Sequence, residues 1–153
     1  MRARGALAVV LAALLVVVVT SSCGSGVADQ KVIDRLAALD VLTVPSGATL
    51  LSRTEQKGGG AAAIRGASSI TLVYASPMEP AQVGRDFHAR FDPRWSFKDN
   101  SGAPSGGWGA IGALAGEQGT VATVEARPAA DAGKVTDTMR SLVTVHVSAT
   151  RPA

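Results

Sequence analysis

The single cysteine of this 153-residue chain, Cys23, sets the terms on which the chain can fold. One thiol cannot close an intrachain disulfide, so stability has to come from packing alone. What precedes that cysteine is equally restrictive. Arg2 and Arg4 give a positively charged start, Ala6 to Val19 is an unbroken apolar run, and Thr20, Ser21 and Ser22 place small residues immediately before Cys23. A charged start, an apolar middle and small residues at the end are the layout of a secretory signal peptide. The apolar run is shorter than the roughly 20 residues that a helix needs to cross a hydrocarbon core, so it is not read as a retained membrane span.

The small residues that end directly on Cys23 resemble a bacterial lipoprotein signal. That resemblance implies cleavage between Ser22 and Cys23, a diacylglycerol on the Cys23 sulfur and acylation of the new amine. Residues 1–22 are then the signal peptide, with a helical apolar core, and the mature protein sits on the extracytoplasmic face of the cell membrane, held by its lipid. Gly24, Ser25 and Gly26 behave as flexible coil, so 23–28 reads as a short tether. Residues 29–153 have the length of one domain with one hydrophobic core.

Charge excludes one class of partner. The formal net charge of +3 includes Arg2 and Arg4, which leaves the rest of the chain close to neutral. Its basic residues are scattered, among them Arg53, Lys57, Arg65, Arg85, Arg90 and Arg94, with no basic stripe and interleaved aromatics, so no nucleic-acid partner is expected. Aromatics are scarce, and alanine and valine supply much of the apolar surface, which predicts a modest core.

Periodicity then orders the domain. Val32, Ile33, Leu36 and Leu39 recur at helical spacing and predict a short amphipathic helix over Gln30 to Leu39, packed on the domain or lying on the lipid surface. Val44 to Gly47 is a turn, with proline presetting its backbone and glycine completing it. Ala48 to Arg53 reads as a first strand and Glu55 to Ser68 as a long connection. Ser69 to Ala75 alternates with period two, Ile70, Leu72 and Tyr74 against Thr71, Val73 and Ala75. Val83, Phe87 and Phe91 stack on one face of a helix that begins at Pro80 and is stopped by Pro93. Trp95 to Lys98 reads as a short returning strand, and Asp99 to Gly119 as a glycine-rich loop. Thr120 to Arg127 and Ser141 to Thr150 close the chain as strands, the last with Val143, Val145 and Val147 on one side and Thr144, His146 and Ser148 on the other. The sum is an α+β domain, an antiparallel sheet of four or five strands with one main helix on one face. This order of elements resembles small actinobacterial lipoproteins of uncharacterised function, a resemblance that implies no activity.

Candidate chemistry is sparse. Gly107, Gly109 and Gly112 have dinucleotide-fingerprint spacing, but no strand precedes them and Trp108 fills the turn, so no cofactor is expected. His88 and His146 fall on different elements, with His146 set across from Glu125 if the last two strands pair, and neither predicts a metal site or a catalytic pair. No nucleophile elbow is present. The expectation is therefore a protein that is not an enzyme. Trp108, Ile111 and Leu114 gather apolar surface within the glycine-rich loop and are the candidate contact for a ligand or partner. Recruitment or support of another cell-envelope protein is the first functional expectation. A carrier of an apolar small molecule or lipid is the alternative, and an extracytoplasmic hydrolase stands third.

Overall fold

The computed structural model describes residues 18–19, 26–58, 66–100, 103, 106–129 and 138–150. The fold is α+β: two helices lie against one face of an antiparallel sheet. In chain order the elements are β1 (Val18–Val19), α1 (Gly26–Ala37), one 3-10 turn (Asp40–Leu42), β2 (Thr49–Gln56), β3 (Ser68–Ser76), α2 (Pro80–Phe91), β4 (Lys98–Asp99), β5 (Trp108–Ala113), β6 (Thr120–Pro128) and β7 (Ser141–Ala149). The sheet order is β1-β2-β3-β7-β6-β5-β4, antiparallel throughout except for β1, which runs parallel to β2. No helix among the described residues is long and apolar enough to cross a membrane.

Strands β4 to β7 form a meander that carries the C-terminal strand back into the middle of the sheet, against β3. Its alternation decides what each face does. Val143, Val145 and Val147 are fully buried, as are Ile70, Leu72 and Tyr74 opposite them on β3 and Ala122, Val124 and Ala126 on β6. Onto this floor α1 lays Val32, Ile33 and Leu36, over β3 and β7, and α2 lays Val83, Phe87 and Phe91, over β5 and β6. The small alanines of β6 leave room for the rings of α2. Burying a large apolar side chain contributes about 1.5–3 kcal/mol, so two helical stripes on one floor suffice without any cross-link.

Helix α2 starts and stops where its sequence dictates. Pro80 stands at the first helical position, and the Gln82 side-chain oxygen accepts the Glu79 backbone N–H at 3.1 Å. The chain then turns so that the Trp95 N–H bonds the Phe91 carbonyl at 2.8 Å. Trp95 is fully buried, stacked on Phe97, with its indole N–H donating to Asp40 Oδ1 at 3.3 Å. Arg94 donates to the other oxygen of Asp40 at 2.8 Å, tying the 3-10 turn to the exit of α2.

Several expectations are corrected. The sheet has six antiparallel strands plus the two-residue β1, not four or five; the amphipathic helix expected over Gln30 to Leu39 is present as α1 and packs on the sheet. Helix α1 begins at Gly26, inside the segment read as a tether. Trp95 to Lys98 is not a strand: Trp95 makes one isolated bridge to Leu114, and only Lys98 and Asp99 pair with β5. The stretch 99–119 is not one loop, because β5 runs through it. The segment expected to be a helical leader is extended at residues 18–19, paired with Thr54 and Glu55; the rest of residues 1–22 and Cys23 lie outside the described residues.

Candidate functional site

Strand β5 divides the three residues that composition grouped together. A strand alternates its faces, so Trp108 and Ile111, three residues apart, point to opposite sides of the sheet. Trp108 turns toward α2, Ile111 stands 47% exposed on the outer face, and Leu114 is buried in the core beside the Trp95 bridge. The single apolar patch expected from Trp108, Ile111 and Leu114 therefore does not exist. The fingerprint spacing dissolves for the same reason, since Gly109 and Gly112 lie inside a strand and face no helix start.

The glycines have other work. A Cβ on Gly84 of α2 would stand 2.7 Å from the Trp108 indole, and one on Gly112 would stand 2.6 Å from the Phe97 ring. Both are closer than carbon atoms can approach, so each glycine is the seat of an aromatic ring. Trp108 lies flat on the helix backbone, 5.9 Å from the Phe87 ring and 6.0 Å from His88.

Around that indole sits the most concentrated polar cluster among the described side chains. Trp108 Nε1 donates to Asp99 Oδ1 at 3.0 Å, and His88 Nε2 meets the same oxygen at 2.9 Å. The other ring nitrogen, Nδ1, meets both oxygens of Asp92, the residue that caps the end of α2, at 2.9 Å. An imidazole can donate from both nitrogens only as the cation. The Asp99 bond first, then the Asp92 bond, raise the His88 pKa above its ordinary value, and His88 in turn lowers that of Asp99. The cluster clamps the end of α2 to β4 and β5. Both imidazole nitrogens are engaged by carboxylates. Sequence reasoning saw His88 but not its partners; the i, i+4 spacing of His88 and Asp92 was the available signal.

His146 belongs to the other face. Its Nδ1 pairs with the Thr71 hydroxyl at 2.9 Å, and its cross-strand neighbour on β6 is Thr123, not Glu125, which lies across from Thr144. The sheet separates the two histidines. No group of three His, Cys, Asp or Glu side chains among the described residues could hold a metal ion.

Among the described residues, no helix lies on the outer face. One row crosses it from edge to edge: Thr54, Thr71, His146, Thr123, Ile111 and Lys98, in register across six strands. It is a hydroxyl-rich surface with isolated apolar residues, Ile111 and Val121 being the exposed large ones on β5 and β6. Comparison of the chain with protein-family models, curated proteins and solved structures finds no match.

Proposed function

We propose that this chain is a lipid-anchored protein of the extracytoplasmic membrane face, without catalytic activity, that recruits or supports another protein of the cell envelope. The leader ending at Cys23 supplies the anchor, and the folded domain supplies a surface. The observation that carries the choice of a surface over a carrier is the seating of Trp108. Its ring rests directly on the Gly84 backbone, filling the space between α2 and the sheet where an apolar ligand would have to lie. The outer face, by contrast, is uncovered by either helix and mixed in polarity, as surfaces of transient partner contacts are.

Lipidation is tested with Cys23→Ala. The variant should keep its leader and take up no fatty-acid analogue, whereas the parent chain labels; equal labelling of the two removes the anchor. The carrier alternative is tested on protein purified from its native membrane under mild detergent. Mass spectrometry of the intact complex should find the chain with its covalent acyl groups alone. A second, non-covalent apolar molecule bound in stoichiometric amount would establish the carrier instead.

A further inference from the structure

The sheet has one long edge, and among the described residues the strand that occupies it, β1, lies upstream of Cys23. Strand β2 pairs with β3 along one side, while on its other side Val18 and Val19 meet Thr54 and Glu55. The opposite edge, β4, is two residues long. If the chain is cut before Cys23, β1 leaves with the leader and the outward backbone groups of β2 lose their partner. An edge of that kind is a template for another strand.

We infer that processing of the leader uncovers β2 for antiparallel pairing with β2 of a second copy of this chain, centred on Thr54. Two features of β2 select that partner and that register. A bulge at Leu51, between the pairs Leu50↔Tyr74 and Ser52↔Val73, interrupts the strand, which leaves Ser52 to Gln56 as its regular run. Thr54 is the centre of that run. A two-fold axis through it sets Thr54 against Thr54 of the partner, Ser52 against Gln56, and Arg53 against Glu55 in both directions. Such an interface is self-complementary, as a two-fold contact must be.

The charges fit this register. Arg53 and Glu55 share one side of the strand and bond each other at 3.0 Å, both partly exposed. Across the axis they form an alternating quartet, in which each guanidinium gains a second carboxylate. Opposite charges directly across a strand pair favour pairing, and like charges disfavour it. Five residues a side is a small contact, but two chains held by lipid in one membrane plane meet at a raised effective concentration. The pairing leaves the outer face free and continuous across both copies. This inference rests on the lipid-anchored reading, since the leader must be removed and the chains confined to a surface.

The test uses the full-length chain in its native membrane with Thr54→Cys, an exposed edge position, and a short thiol-to-thiol crosslinker. Cys23, acylated, contributes no thiol. Thr54→Cys should give a covalent dimer, and Thr144→Cys, in mid-sheet, should not. Adding Arg53→Glu to Thr54→Cys sets carboxylates against each other and should cut the dimer at least tenfold. Combining Arg53→Glu with Glu55→Arg should restore it. The mass of the mature N-terminus is measured on the same samples. A monomer with a lipidated Cys23 overturns the pairing alone, and a monomer still carrying residues 1–22 overturns the lipid-anchored reading with it. A dimer indifferent to charge reversal, or an adduct to a different protein in place of the dimer, also overturns the pairing.

Discussion

His88 stands between two carboxylates, and the consequence is a stability that depends on pH from both directions. Its folded pKa is raised, chiefly by Asp99 and then by Asp92. A group so raised contributes fully below its unfolded value, about 6.5, and its contribution is lost as pH rises through the folded value. Asp99 is shifted the other way, first by His88. Its contribution is present above its unfolded value, about 3.9, and is lost as pH falls through the depressed folded value. The clamp is therefore complete in the window between about pH 4 and about pH 6.5. The midpoint of thermal unfolding should be highest there and decline on the alkaline side. Asp99→Asn removes the larger cause of the His88 shift, so it should flatten that alkaline decline while leaving His88 its bond to Asp92. Parallel melting curves for the two proteins from pH 5 to 9 would count against the clamp.

At the scale of elements, β5 shows what local pattern can and cannot reveal. Helix α2 and strands β3 and β7 were legible because their signals are local: a proline at the first helical position, and hydrophobic residues at the period of the element. Strand β5 has no such signal. Gly109, Ala110, Gly112 and Ala113 are poor strand formers, and read alone they describe a loop. Gly112 is bare because the Phe97 ring, from elsewhere in the chain, occupies the space a side chain would take. That requirement appears only when residues distant in sequence meet. The candidate site failed in the same way: Trp108, Ile111 and Leu114 were read as one patch, whereas pairing with β6 and the Trp95 bridge divides them. The division predicts unequal costs. Leu114→Ala opens a cavity in the core and should destabilise by about 2–4 kcal/mol, whereas Ile111→Ala, on the open face, should stay within about 1 kcal/mol. Denaturant midpoints at constant slope measure both; equal losses would mean that Ile111 is covered in solution.

The whole molecule is two partial layers welded by its last strand. One half consists of α1, β2 and β3, and the other of α2, β4, β5 and β6. Strand β7 lies between them, pairing along all nine residues with β3 on one side and β6 on the other. Helix α1 leans on β3 and β7 together, so even the first half borrows part of its floor from the C-terminus. Without β7, the facing edges of β3 and β6 are both unpaired, Ile70 and Leu72 lose Val147 and Val145, and α1 loses the smaller part of its seat. Neither half can then bury enough apolar area to offset the entropy of ordering it. Folding must also wait for β7, because β3 and β7 are joined only by closing the long intervening segment. A chain ending at Arg140 should accordingly show neither a near-ultraviolet circular dichroism signal nor a cooperative unfolding transition. A synthetic peptide of residues 141–150 added in excess should restore both, since the groove between β3 and β6 has the register for that strand alone: small hydroxyl and alanine positions at its ends and three valines facing the helices. A peptide with Val145→Asp would place an unpaired carboxylate in the core and should fail to rescue. If the truncated chain instead melts cooperatively by itself, the two halves are independent units and β7 is an addition to a sheet that stands without it.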